Sequence, residues 1–176
     1  MASELLGCVL RNTTSEGRAA GIIVETEAYL GPLDNASHAR FGSTGRSHVM
    51  FGPPGVAYVY LIYGMHYMFN AVTEDDGRAG AVLIRALEPT EGLPLMTRRR
   101  GQEDRAVLTK GPARLTRALG IDIDHNQAVL NTGPLGIWEG ERDEEAGVFA
   151  TRRVNVVGSK ELHLRFLING NPYVSR

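Results

Sequence analysis

An α+β fold with an antiparallel or mixed sheet is what this sequence predicts, on three observations. Strand-like and helix-like segments are interspersed without the regular βαβ alternation that builds a parallel sheet. Helical pattern takes over from about Thr90 to Gly120, with an interruption near Gly101. The run from Tyr58 to Asn70 reads as a β-hairpin, because β-branched and aromatic residues flank Gly64, which supplies the positive φ of a tight turn. At 176 residues the chain has the length of one domain, expected to span residues 1–176 and to bury about two thirds of its unfolded surface.

Taken in order, Ser3 to Leu10 has a short helical pattern with Ser3 as its N-cap. Asn12 to Gly17 reads as a turn, and Ala19 to Tyr29 as the first strong strand. Gly31-Pro32 breaks that strand, and Asp34 to Arg40 forms one helical turn that brings His38 back towards the strand end. Gly42 to Ser47 is loop, rich in backbone N–H groups and carrying Arg46. Gly52-Pro53-Pro54-Gly55 punctuates the chain before the hairpin, and Ala81 to Leu87 is the next strand. Gly111-Pro112 opens the last helical section, with Pro in the first turn and Leu115, Ala118 and Leu119 as its apolar stripe. Leu135 to Trp138, Thr151 to Val157 and Leu162 to Ile168 read as further strands.

Composition narrows the class. Hydrophobic residues make up 43% and charged residues 22%, which is ordinary for a soluble globular chain. No apolar run approaches the ~20 residues of a membrane span, and the N-terminus lacks a basic-then-apolar leader pattern, so a cytosolic location is expected. The lone Cys8 reads as a small core residue, and no Cys/His spacing suggests a metal site. A net charge of −1 argues against binding nucleic acid by bulk attraction alone. Its distribution is uneven: seven basic residues lie between Arg98 and Arg117, whereas five acidic ones lie between Glu139 and Glu145. Such asymmetry lets one face meet phosphates while another repels them.

Two stretches carry candidate chemistry. In the first strand Glu25, Glu27 and Tyr29 share one face at intervals of roughly 7 Å, and two carboxylates beside an aromatic ring suggest a site. The hairpin holds four of the six tyrosines, and its tip, Tyr63-Gly64-Met65-His66, is apolar and aromatic where a solvated turn normally carries Asn, Asp or Ser. Either that tip folds back onto the core, or it is a wedge that enters something stacked, as apolar side chains do between base steps. Arg85, inside an otherwise apolar strand, needs a buried partner. Lys110, beside the start of the last helical section, marks a possible anion site.

Taken together, five blocks resemble the alkyladenine, or 3-methyladenine, family of DNA glycosylases. They are Val24-Glu25-Thr26-Glu27-Ala28-Tyr29-Leu30-Gly31-Pro32, Ala57 to Met65 followed by Asn70, Leu83-Ile84-Arg85-Ala86-Leu87-Glu88-Pro89, Gly111-Pro112-Ala113-Arg114-Leu115, and Asn171-Pro172-Tyr173-Val174-Ser175. The resemblance implies a monofunctional enzyme that flips an alkylated or deaminated purine out of double-stranded DNA and hydrolyses its N-glycosidic bond without a cofactor. It further implies a monomer: a single compact α+β domain whose curved sheet carries a hairpin that protrudes into the minor groove. By the same resemblance Glu27 activates water and Arg85 helps hold both, while Tyr29, His38 and Tyr60 stack on the flipped base and Asn70 lines the pocket. Tyr63, with Met65, fills the gap in the duplex. On the residues themselves, Arg46 in its N–H-rich loop and Lys110 are the candidate phosphate contacts.

Three departures stand out: Ser47 where Asn is expected in a short 44–47 loop, His66 where an aromatic is common, and Lys110 where a small polar residue is usual. On the residues alone Glu25 competes with Glu27 as the working carboxylate. A carbohydrate glycosidase using both, and a damage-binding module that does not depend on Glu27, stay open as alternatives. With only Lys110 and Lys160 among 19 basic residues, an amine nucleophile for strand cleavage is scarce.

Overall fold

The computed structural model describes residues 1–140 and 147–175, so most of the acidic run expected between Glu139 and Glu145 lies outside the described residues. Eight strands form one curled antiparallel sheet, which resolves the antiparallel-or-mixed alternative. They are β1 (Val9–Thr14), β2 (Gly17–Tyr29), β3 (Ala57–Ile62), β4 (His66–Val72), β5 (Ala81–Glu91), β6 (Leu135–Trp138), β7 (Val148–Thr151) and β8 (Arg165–Ile168). Their order is β3-β4-β5-β2-β1-β6, and β8 pairs with both β2 and β7. Helices α1 (Leu93–Arg100) and α2 (Pro112–Leu119) fill the helical region expected from about Thr90 to Gly120, with the expected break at Gly101, and only its start is later, because Thr90 still belongs to β5.

β2 is the axis of the sheet. Its first half pairs with β1, Glu25 to Glu27 pair with β8, and β5 pairs with it from Ala20 to Tyr29. Leu10, Ile23, Ile84, Leu87, Met96, Leu115 and Leu119 pack as one buried core. A smaller core of Ala39, Met50, Tyr58, Val72 and Ala81 lies beside it, with Tyr29 and Tyr60 packed on its edge. That second core supports the candidate site.

Two features of β2 set the site's position. The β2–β5 register shifts on either side of Glu25, skipping Val24 on one strand and Arg85 on the other. Such bulges re-aim side chains, and here Arg85 turns onto Glu25 and Glu27. At the end of the strand Gly31 has φ 75°, and a Cβ there would lie 2.4 Å from the Ala79 carbonyl oxygen, so only glycine lets the chain turn away.

Several expected elements differ. Residues near Ser3 make a turn, closed by the Glu4 and Leu5 N–H groups on the Met1 carbonyl, and Val9 and Leu10 belong to β1. Gly7 at φ 90° ends the turn. Asn12 is not in a turn either: β1 runs on through Thr14, and the Asn12 amide caps α2 by donating to the Leu119 and Gly120 carbonyls. The strand expected over Thr151 to Val157 stops at Thr151, because Arg153 turns inward, the Val154 N–H leaves the ladder and Asn155 has φ 55°. The last strand starts at Arg165 rather than Leu162. Ser47 is buried and bonded to the Gly42 and Thr44 backbone, so the 44–47 loop spends polar groups on its own 3-10 helix, Gly45–Phe51. Cys8 is only partly buried, against the main core.

Candidate active site

Strand alternation puts Glu25 and Glu27 on the same face of β2, as expected, and both are wholly buried. Their surroundings decide between them. A carboxylate offers about four acceptor positions. Glu25 has four donors: Arg85 Nε at 2.9 Å, Arg165 Nε at 2.7 Å, and the Ser175 hydroxyl and N–H at 2.9 and 2.6 Å. Glu27 has three: the Val154 N–H at 2.7 Å and an Arg85 terminal nitrogen at 3.3 Å on Oε1, and the Tyr29 hydroxyl at 3.0 Å on Oε2. Glu25 takes three of its donors on Oε1 and the Ser175 N–H on Oε2, enclosed by two guanidinium groups and the C-terminal chain, whereas Glu27 Oε2 takes the Tyr29 hydroxyl, whose side chain lines an aromatic cleft. The Arg85 side chain, foreseen as needing a buried partner, has both.

Removing Glu25 would leave the largely buried Arg165 without its carboxylate and Arg85 with Glu27 alone, a loss worth about 3–5 kcal/mol. Glu25→Ala is therefore expected to lower Tm by roughly 6–20 °C, at ~2–4 °C per kcal/mol for a chain of this size. A thermal unfolding curve shifted by less than about 2 °C would contradict this assignment of Glu25.

Beside Tyr29, whose hydroxyl holds Glu27, opens a small cleft of about 80 Å³ lined by Tyr29, Ala36, His38, Met50, Tyr58, Tyr60, Asn70 and Ala81. Tyr29, His38, Tyr60 and Asn70, four residues expected to bind one ligand, thus come together. The His38 and Tyr60 rings meet edge to face at 4.7 Å, and Tyr58 and Tyr60 lie 5.1 Å apart. Tyr58, expected only to pack, also holds His38, with its hydroxyl 2.8 Å from Nδ1. Asn70 is fixed by donating to the Tyr58 carbonyl at 3.0 Å. Burial pushes the Tyr60 hydroxyl up to about 12 and raises those of Tyr29 and Tyr58 still further, so all three are proton donors at neutral pH.

Burial, then the charges of Arg46 and Arg40, lower the His38 pKa below 6.5. The ring is neutral at pH 7 and presents no charge to a cationic ligand. The stability consequence has a definite sign: below 6.5 the unfolded chain takes up this proton first, so stability is lost as pH falls towards the folded value. His38→Gln is expected to lose less Tm between pH 7 and pH 5 than wild type does; parallel Tm–pH curves would contradict it.

On the other side of Glu27, Arg85, Lys110, Gly111, Arg114, Val154 and Ser175 line a second, open cleft. Glu27 sits in the partition, with Tyr29 facing the first cleft and Arg85 and Val154 the second. Lys110 donates to the Pro172 carbonyl at 2.8 Å. Arg46 reaches the Leu61 carbonyl at 3.4 Å and lies 5.8 Å from the Tyr60 ring centre, between the hairpin and the first cleft. Much of the basic run is engaged: Arg98 and Arg99 pair with Glu16, Arg100 donates to Leu108, and Arg117 to the Arg99 carbonyl.

The hairpin tip does not fold back onto the core. Tyr63 is 88% and Met65 69% exposed. The Met65 N–H donates to the Ile62 carbonyl at 3.1 Å, with Tyr63 at φ 49° and Gly64 at φ 67°, which makes the connection a type I′-like turn. A tyrosine in the left-handed region costs about 1–3 kcal/mol.

Sequence reasoning gave no role to Val154, Asp34, Arg153 or Arg165. Val154 acts through its backbone, which leaves no side-chain signal. Asp34 and Arg153 form a wholly buried ion pair beside Tyr29, visible in sequence only as two charges 119 positions apart.

Residues 1–172 match the family described as Methylpurine-DNA glycosylase (MPG). The chain is 47% identical over 179 residues to a "Putative 3-methyladenine DNA glycosylase" of Methanoculleus marisnigri, covering all of this chain and 92% of that protein. It is 46% identical to the protein of the same description from Carboxydothermus hydrogenoformans, again over all of this chain and 92% of the relative. With that of Nitrobacter winogradskyi it shares 44% identity, over all of this chain and 81% of the relative.

Proposed function

Because the chain belongs to the methylpurine-DNA glycosylase family, hydrolases acting on N-glycosyl bonds, we propose that it excises alkylated or deaminated purines from double-stranded DNA through a water activated by Glu27. The observation that carries this reading is the Glu27 carboxylate, locked by three donors, in the partition beside an aromatic cleft. An extruded purine enters the cleft and stacks on Tyr29, His38 and Tyr60, with Asn70 at its edge. Its sugar then lies over the partition, and the Arg85, Lys110 and Arg114 side receives the backbone.

The chemistry asks little more of the protein. A purine alkylated on a ring nitrogen is already cationic and leaves as a neutral base, whereas a deaminated purine is neutral and must also take up a proton as it leaves. What remains is a carboxylate that takes the proton of the attacking water and offsets the positive charge growing on the sugar. Arg85 keeps Glu27 oriented. Base stacking of about 1–3 kcal/mol matches the few kcal/mol needed to unstack a damaged nucleotide, and Tyr63, flanked by Met65, occupies the vacated gap. The scheme takes residues 1–176 to act as a monomer and a single domain. Two rivals fare worse: a carbohydrate glycosidase needs both carboxylates at the sugar, and Glu25 is enclosed by donors; a binding module has no use for an oriented Glu27. The test is base release from duplexes carrying one lesion each: free base without strand cleavage supports the proposal, and no release from any alkylated or deaminated purine overturns it.

A further inference from the structure

We infer that Asp34 and Arg153 are a positioning pair, holding the Val154 N–H on Glu27 and fixing the Tyr29 ring in the cleft wall; the inference rests on Glu27 having the role proposed above. Neither residue lines the cleft, and both side chains are wholly buried. The pair is bidentate, with Arg153 nitrogens 2.5 and 2.8 Å from the two Asp34 oxygens. Arg153 also donates to the Ala28 carbonyl at 2.9 Å, and its guanidinium lies 4.7 Å from the Tyr29 ring centre. Asp34 in turn accepts the Leu30 and Ala36 N–H groups at 3.3 and 3.0 Å. Three segments are thereby tied at one point: the end of β2, the loop leading to His38, and the chain that carries Val154.

Stability alone is a poor reason for this arrangement. A buried ion pair is often no better than an apolar pair of the same volume. Among the described residues this one also leaves the Arg153 Nε buried without a partner, at a cost of about 1–3 kcal/mol. Geometry gives a better reason. The Val154 amide begins at the Arg153 carbonyl carbon, so whatever fixes the Arg153 side chain fixes the donor 2.7 Å from Glu27 Oε1. Arg153 covers one face of Tyr29, whose hydroxyl holds the other Glu27 oxygen. A displacement of 1 Å at a reacting group costs on the order of 100-fold in rate.

The test replaces the ion pair by an apolar one, Asp34→Leu with Arg153→Met, beside Arg153→Lys and Glu27→Gln. Single-turnover base release from a 7-methylguanine duplex is measured together with the Kd for a duplex carrying a tetrahydrofuran abasic analogue. The double variant, which leaves the Leu30 and Ala36 N–H groups and the Ala28 carbonyl without these partners, is expected to lower Tm and to keep Kd within about threefold, while release slows about 10–100-fold. Arg153→Lys, which retains the charge but cannot bridge both oxygens, is expected to show the same split at about tenfold and decides the matter should the double variant not fold. Release at the wild-type rate in the folded variants, with Glu27→Gln inactive, overturns the positioning pair alone. So does a loss of rate matched by an equal loss of binding, which means that the whole cleft has moved. Glu27→Gln as active as wild type instead removes the reading of Glu27, and this inference with it.

Discussion

Glu27→Gln is expected to bind a lesion-containing duplex as wild type does and to release base about 10²–10⁴-fold more slowly, the usual contribution of a general base. Glutamine is nearly isosteric. Its carbonyl oxygen still accepts the Val154 N–H and faces Arg85, and its amide can donate to the Tyr29 hydroxyl, so the three contacts seen in the structure survive. What disappears is the negative charge and the ability to take a proton from water. Single-turnover base release, paired with a binding isotherm on the same duplex, separates the two effects. Unchanged release would remove Glu27 from its role, and binding lost in step with rate would mean that the substitution disturbs the cleft.

Tyr63→Ala is expected to weaken duplex binding about 5–150-fold, the equivalent of losing about 1–3 kcal/mol of stacking, and to leave release from single strands nearly unchanged. Single strands have no gap to fill. The backbone supplies an independent control. Tyr63 sits at φ 49° with its side chain in solvent, so nothing within the chain rewards that conformation. Asn is at home in the left-handed region, and Tyr63→Asn is therefore expected to hold or raise Tm while weakening duplex binding like the Ala variant. Equal losses on duplex and single-stranded lesions would contradict the wedge.

Much of this site is legible along the chain, for identifiable reasons. Alternation on β2 places Glu25, Glu27 and Tyr29 on one face. An apolar tip at Tyr63 and Met65 has no use in water, and Arg85 in an apolar strand demands carboxylate partners. The choice between the two glutamates is not legible, since they are equivalent by spacing. It rests on donors from Arg165, Ser175 and Val154, the last two 150 and 127 residues away from the carboxylates that they hold. The segment after Thr151 looks like a strand because Val154, Val156 and Val157 are β-branched. The Val154 N–H goes to a carboxylate instead of a ladder, and no local propensity encodes that. Ser3 to Leu10 fails for a plainer reason: over eight residues a buried strand and a helix share the same apolar content.

The most direct test of the central claim is a crystal structure of Glu27→Gln with a duplex carrying a single alkylated or deaminated purine. The account predicts the lesion rotated out of the helix and stacked among Tyr29, His38 and Tyr60, its C1′ over the Glu27→Gln side chain, and Tyr63 in the gap. A damaged base still stacked in the duplex, or one held away from residue 27 with Tyr63 in solvent, would contradict it.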